Sequence, residues 1–383
     1  MTPDIDSKLP GIGTTIFTQM SALAAECGAI NLSQGYPDFQ APKALREAMA
    51  RAAMDGQNQY APMIGLTALR EQVVIQLQLH RGVECNPDTE ITVVPGATEG
   101  IFCAVMASVG PGDEVLVLDP CYDSYQPAIE LAGGTAVHVP LRADSFAVDW
   151  PAVEAKLGPR SRMIMINSPH NPTGATLDDA DMRTLEALAE RYNLLVCSDE
   201  VYEHLSYDGL PHRSVLQCPG LRERSFAHFS FGKTFSVTGW KTGYCVAPPA
   251  LTAELRKVHQ FVAFVAVPPV QQALADFLAA DPNYPASLAD FYQRKRDLFC
   301  AALDGSRFRL KPASGTYFQL LDYSEISKAP DRQLCEQWTR ENGVASIPIS
   351  VFYQRPPKQH YLRFCFAKSD ATLEQAAEIL CRI

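Results

Sequence analysis

The sequence contains no CxxC or HExxH motif and no comparable ligand spacing, so neither a structural nor a catalytic zinc site is expected and no metal is assigned. Its eleven cysteines are an odd number, scattered mostly singly in apolar runs such as Leu195-Val196-Cys197 and Arg363-Phe364-Cys365-Phe366. That is the pattern of reduced core thiols, not of a disulfide framework. No segment approaches the ~18 uninterrupted apolar residues of a membrane span. The opening MTPDIDSKLPGIGTT carries acidic residues where a signal peptide needs basic ones, and no apolar run follows it, so no export signal is expected. Positive charge is scarce as well. Lys and Arg number 33 against 43 Asp and Glu, a net charge of −10 that argues against a polyanion-binding surface. Internal repeats, low-complexity tracts and charged tails are also missing. These absences predict a soluble, cytoplasmic protein with neither nucleic acid nor membrane as partner.

What is present fits an enzyme-sized globule. A chain of 383 residues, 47% apolar, is long enough for one large domain and a smaller one. From Glu90 to about Pro248 short β-rich runs alternate with amphipathic stretches: ITVV, EVLVL, TAVHV, RMIMIN, NLLVCSD, SFAHFSF and KTGYCVA. Several of these runs are apolar at consecutive positions, as strands covered by helices on both faces must be, which predicts an α/β fold with a mostly parallel sheet. Functional residues then belong at strand ends and in the loops that follow. Helices are expected over Lys43–Met54 and Leu66–Arg81. Beyond Pro268-Pro269 the pattern becomes α+β, with helices near 270–279, 287–302, 332–341 and 372–380 and strands at TYFQLLD and HYLRFCFA.

Four elements carry chemistry. Ser230-Phe231-Gly232-Lys233 follows a predicted strand; a lysine there, buried or close to other cations, can lose its proton and form a Schiff base with an aldehyde. The bland alternative is a surface loop lysine. SxxK and KTG elements also occur in penicillin-binding serine enzymes, but here only a few residues separate them, and the one similar triplet to an SDN element, Ser198-Asp199-Glu200, lies upstream. Asn167-Ser168-Pro169-His170-Asn171-Pro172-Thr173-Gly174 follows RMIMI and can present a rigid hydrogen-bonding edge, although NPTG by itself is a plain turn. Asp199, at the end of NLLVCSD, is a carboxylate at a strand C-terminus, or a helix cap. Pro95-Gly96-Ala97-Thr98-Glu99-Gly100 opens a helix after ITVV, where free N–H groups can make a phosphate site, although taken alone it reads first as an ordinary helix N-terminus.

Taken in this order, the four elements resemble the class I/II pyridoxal-5′-phosphate (PLP) enzymes of the aspartate aminotransferase fold family. The resemblance extends over nearly the whole chain, through Ser33–Phe39, Asn58-Gln59-Tyr60, Asp119–Tyr125 and Tyr361–Phe366. Within the family it is similar to bacterial methionine aminotransferases and, less closely, to kynurenine and glutamine transaminases.

The resemblance implies PLP-dependent transferase fold type I. A large domain over 45–275 with a seven-stranded, mostly parallel sheet would join a small α+β domain built from 1–44 and 276–383. It implies PLP as cofactor, amino acid and 2-oxo acid substrates exchanging an amino group by a ping-pong route, and a homodimer. Lys233 would be the catalytic tether, Asp199 the partner of the pyridine nitrogen, Asn171 and Tyr202 donors to the ring's 3′-oxygen, and Tyr122 a stacking ring. The phosphate would be held by backbone near Gly96, Ala97 and Thr98, by Ser230, and by Lys241, where many members carry arginine. Arg363 would grip the substrate α-carboxylate, with Gly35 and Asn167 close by, and Tyr60 would cross a subunit interface to the neighbouring phosphate. Two alternatives stand beside transamination: a β-lyase acting on cysteine conjugates, and a non-catalytic effector module, for which the expected DNA-binding segment is missing. The segment Gly13–Met20 is expected to fold over the pocket mouth, offering Ile16 and Phe17 but no cation. The apolar tract Phe261–Val267 is expected in a buried helix or interdomain core, with a place in the cavity wall as the lesser alternative.

Overall fold

A computed structural model describes residues 5–383. After the short strand β1 (Ile30–Asn31) the chain lays down seven strands that form one sheet: β2 (Ile91–Val94), β3 (Glu114–Asp119), β4 (Thr135–Pro140), β5 (Ser161–Asn167), β6 (Leu195–Asp199), β7 (Ser225–Ser230) and β8 (Gly243–Val246). Their order is β2-β8-β7-β6-β5-β3-β4. Only β8 runs against its neighbours, pairing antiparallel with both β2 and β7. The sheet is therefore mostly parallel, as the consecutive apolar runs required. All residues of β2 and β8 are buried, as are five of six in β3, because helices cover both faces. Ile91, Leu116, Ile164 and Val196 belong to one core, and Val115, Met163, Cys197 and Phe226 to the other.

Local sequence explains the element ends. Helix Asp179–Arg191 starts at a capping box in which Asp178 accepts from the N–H groups of Ala180 and Asp181, while Asp181 reaches back to the N–H of Asp178. Helix Thr67–Arg81 stops at Gly82, which adopts φ 65°. The register then sets the functional edge. Asn167 is paired with Asp199 across β5 and β6, and Ser230 with Gly243 across β7 and β8. β5 and β6 thus end at one level and β7 runs two residues further, since His228 faces Asp199, so Asn167, Asp199 and Ser230 border a common crevice.

The remaining strands, β9 (Phe318–Asp322), β10 (Val344–Ala345), β11 (Ile347–Pro348) and β12 (Tyr361–Cys365), belong to a second core. There β11-β12-β9 form an antiparallel sheet, and β1 pairs parallel with β10. This core takes Met20, Leu23 and Leu32 from the beginning of the chain and Leu288 to Leu380 from the end. The expected cut at 275 falls within helix Pro268–Ala280, whose Val270, Leu274 and Leu278 pack in the large core, so the change of core comes after that helix.

Two local expectations change. Residues 16–27 form a helix, capped by the Thr15 hydroxyl accepting from the N–H of Thr18 and closed by Gly28 at φ 62°. Ile16 is buried in the second core; Phe17 alone of the two lines the cavity beside Lys233. Apart from Ala266, which packs in the large core, the tract 261–267 lies largely at the surface instead of in a buried helix. Phe261 is 87% exposed, and Val262, Phe264 and Val267 are exposed with it. No helix among the described residues is long and apolar enough to cross a membrane.

Candidate active site

The ends of β5, β6 and β7 and the start of helix Ala97–Ser108 enclose a cavity of about 160 Å³. It is lined by Gly96, Ala97, Thr98, Tyr122, Asn167, Asn171, Asp199, Tyr202, Ser230, Lys233 and Lys241. A second cavity of about 210 Å³ shares Tyr122, Asn171, Tyr202 and Lys233 with it and adds Phe17, Gln34, Gly35, Phe318 and Arg363. Every expected site residue except Tyr60 therefore borders one of two adjoining spaces that meet at Lys233.

One end of the first cavity is built for an anion. Gly96 adopts φ 84°, which a side chain would resist, and this turns β2 directly into the helix. The N–H groups of Glu99 and Gly100 bond back to the Gly96 carbonyl, leaving those of Ala97 and Thr98 without an acceptor among the described residues. Lys241 lies against this turn, its Nζ 3.3 Å from where a Gly96 Cβ would stand. Free N–H groups, the positive end of a helix and an ammonium converge there, and Ser230 lines the same cavity.

The same cavity is lined by a carboxylate. Asp199 is buried, and its carboxyl is pushed up to about 6 by burial, against the hydrogen bonds it receives. Those come from the Tyr125 hydroxyl at 2.6 Å and the Val201 N–H at 3.3 Å. A buried carboxylate with a face on a cavity calls for a cationic or N–H partner. Lys233 sits in the short helix Phe231–Thr234 that follows β7, its Nζ 3.3 Å from the Gly35 carbonyl. Burial, with the Arg363 and Lys241 charges nearby, brings this amine down to about 8, so a substantial neutral fraction exists near neutrality. Tyr122 is pushed up to about 12 by burial and Tyr202 is raised for the same reason, so both phenols remain protonated donors.

Arg363 lies in the middle of β12, 1% exposed. It donates to Asn171 Oδ1 at 2.6 Å and to the Ser33 carbonyl at 3.1 Å, while its Nε has no partner. Its guanidinium carbon is 3.9 Å from the Phe318 ring centroid, with Phe17 and Phe352 at 5.2 and 5.4 Å. Burial lowers it to about 10, and no carboxylate forms an ion pair with it among the described residues. A buried guanidinium with an unanswered donor beside a cavity is a receptor for an anionic ligand. Asn167 is differently employed. Its Nδ2 donates to the Asp199 carbonyl at 2.8 Å and its Oδ1 accepts from the Asn171 N–H at 2.7 Å, so it braces the two loops against each other. Tyr60 stands apart, 84% exposed, its ring edge-on to Phe264 at 5.4 Å.

A cavity lined by an anion cradle, a buried carboxylate and a low-pKa lysine, next to an arginine receptor, matches the chemistry of an amino-group transferase. Residues 28–380 match the family described as aminotransferase class I and II. The chain belongs to this family. It is 49% identical to the methionine aminotransferase of Escherichia coli over 98% of this chain and 97% of that one. The crystal structure of that organism's YbdL, reported with a methionine aminotransferase function, superposes with a TM-score of 0.97 at 48% identity, each chain covered in full at 100%. N-succinyldiaminopimelate aminotransferase of Mycobacterium tuberculosis follows at TM-score 0.96 and 38% identity, covering 99% of this chain and 100% of that one. Mouse kynurenine–oxoglutarate transaminase 3 is 32% identical over 97% of this chain and 88% of its own. This aminotransferase thus has the α/β fold of aspartate aminotransferase, with helices around the mostly parallel sheet.

Three site residues escaped the sequence reading. Tyr125 is joined to Asp199 although 74 residues separate them. Tyr317 donates to the Gly35 carbonyl at 2.6 Å, and Phe318 underlies Arg363. Tyr125 stands three residues after Tyr122 at the start of a helix, and nothing in that spacing points to Asp199. TYFQLLD gave no signal for the other two beyond a strand.

Proposed function

We propose that this aminotransferase binds PLP and transfers the amino group of bulky neutral or aromatic amino acids, methionine foremost, to a 2-oxo acid. The anion cradle suits the cofactor phosphate: N–H groups of Ala97 and Thr98, the Ser230 hydroxyl and the Lys241 ammonium. Asp199 would meet a protonated ring nitrogen, Asn171 and Tyr202 the ring's 3′-oxygen, Tyr122 the ring face, and Lys233 the aldehyde. When bound, the cofactor supplies an electron sink for charge developing at the substrate α-carbon. Lys233 holds and moves the proton at that carbon, and its neutral amine near pH 8 suits the task. Arg363 fixes the α-carboxylate, turning the reacting bond toward Lys233.

The observation that carries the substrate class is the second cavity. Around Arg363 its wall includes Phe17, Phe318 and Tyr122, and the other cationic side chain that lines it is Lys233, the amine already committed to the aldehyde. A distal carboxylate would find no partner there, whereas a thioether or ring meets aromatic faces. Similarity to methionine aminotransferase supports the same choice. A methylene more or less is worth only about 1–3 kcal/mol, so leucine, phenylalanine, glutamine and kynurenine should react measurably too. The test compares single-turnover conversion of the cofactor by methionine, phenylalanine, glutamine, kynurenine and aspartate at equal concentration. Aspartate as the fastest donor would refute the pocket reading.

We further infer a cytoplasmic homodimer. All eleven cysteines are unpaired, as suits a reducing compartment. The exposed apolar group Tyr60, Phe261, Val262, Phe264 and Val267 suits burial against a second copy, which would carry Tyr60 toward the partner's phosphate cradle. Division into a large domain and one built from both ends agrees with the two kinds of core.

A further inference from the structure

We propose that Tyr125 is a positioning residue for cofactor binding, its hydroxyl keeping the Asp199 carboxylate ionised and aimed at the cavity. The proposal rests on the reading of Asp199 as the partner of the ring nitrogen. Tyr125 begins the helix Tyr125–Leu131 in the loop after β3, two strands from β6 in the sheet. It is 3% exposed, and its hydroxyl, 2.6 Å from Asp199 Oδ2, has no other hydrogen-bond partner among the described residues. Its ring is held edge-on by Tyr122, centroids 5.8 Å apart, so the same loop supplies a wall of the cavity and the strut behind its carboxylate.

The electrostatics give the direction of the effect. Burial raises the Asp199 carboxyl, and the phenol's hydrogen bond is the largest influence opposing it. The Val201 N–H and the Lys233 charge act with the phenol, whereas Glu200 acts against it. His228, paired with Asp199 in the ladder, is depressed to about 3 by burial and contributes no charge near neutrality. Tyr125 itself is raised far above its ordinary value by burial, so it stays a donor throughout the working range. Without that hydroxyl the carboxyl keeps one longer backbone contact and protonates at a higher pH. A neutral carboxyl cannot hold a ring N–H cation by charge.

The experiment measures dissociation constants by equilibrium dialysis for PLP and for its carbocyclic analogue, in which carbon replaces the ring nitrogen. Wild-type protein, Tyr125→Phe, Asp199→Asn and the double variant are compared over about pH 5 to 9, a window that brackets the Asp199 and Lys233 values. Tyr125→Phe should weaken PLP about tenfold, the effect of one pKa unit, most at the acid end. It should leave the analogue's affinity unchanged and add nothing to Asp199→Asn. An equal loss for both ligands would mean that Tyr125 only packs, and no loss for either would mean that it is idle; both overturn the proposal. If Asp199→Asn itself fails to discriminate PLP from the analogue, the reading of Asp199 falls and takes the proposal with it. If Asp199→Asn discriminates and Tyr125→Phe does not, only the role of Tyr125 falls.

Discussion

Arg363 and Lys233 are two buried cations in adjoining walls, and their different chemistry separates their tasks. The guanidinium remains charged even when burial lowers it to about 10, and its planar fork matches a carboxylate with two parallel bonds. Arg363→Lys keeps the charge and loses the fork. It is expected to weaken amino acid binding by about 2–5 kcal/mol while sparing cofactor affinity. An unchanged substrate dissociation constant in the half-reaction would remove Arg363 from the site. Lys233, lowered to about 8, behaves oppositely: its cationic form is favoured below that value and its neutral, nucleophilic form above it. Covalent capture of PLP by the cofactor-free protein should therefore accelerate as pH rises through about 8 and level off beyond. Borohydride reduction followed by mass spectrometry should find the label on Lys233. A rate still climbing toward the ordinary lysine value of about 10.4 would show that burial does not tune this amine.

At the level of elements, the site depends on how closely helix Ala97–Ser108 sits on the sheet. Gly100 marks the tightest approach: a Cβ there would lie 2.8 Å from His228 Nδ1 and 3.2 Å from Val94 Cγ2. His228 is fully buried on β7 and both its ring nitrogens lack partners, so nothing softer than a repacked strand can give way. Gly100→Ala gains up to ~1 kcal/mol of helix propensity and loses about 1–3 kcal/mol to overpacking. The expected result is a modestly lowered melting temperature together with weaker PLP binding, because the displaced N–H groups of Ala97 and Thr98 serve the phosphate. Calorimetry and cofactor titration check both; full affinity in the variant would detach the cradle from the helix seat. Most strands of the large sheet are readable because they are apolar on both faces, a pattern that survives without neighbours; β4, with His138 and two exposed ends, is the exception. Helix Ile16–Cys27 was missed although Thr15 and Gly28 bracket it, since its short run follows a turn-rich opening that reads as loop. The strands β1, β10 and β11 have two residues each, too short for any periodicity to show.

For the whole molecule, the tract around Phe261 and Phe264 is the feature that a single chain leaves unexplained. Large apolar side chains this exposed are costly in water unless another surface covers them. Sedimentation should give a dimer. Mixing inactive Lys233→Ala protein with an inactive Tyr60 variant should restore one complete site per heterodimer, and a catalytically active monomer would defeat the idea. Phe264→Asp, remote from both cavities, should shift the assembly toward monomers and lower cofactor affinity with it.

The sequence by itself determined the parallel sheet, the order of its strands along the chain and the strand-end positions of Asn167, Asp199 and Lys233. Those features follow from local runs of apolar residues and from turn chemistry, which are written in consecutive positions. It took the folded chain to show that Tyr125 reaches Asp199, that Phe318 stacks on Arg363, that Asn167 spends its amide on backbone, and that Phe261, Val262, Phe264 and Val267 lie outside. Each of these is a contact, or the lack of one, between segments far apart in the chain. Such contacts are set by how strands are ordered in the sheet and how the second core closes over its edge, and no local pattern encodes either.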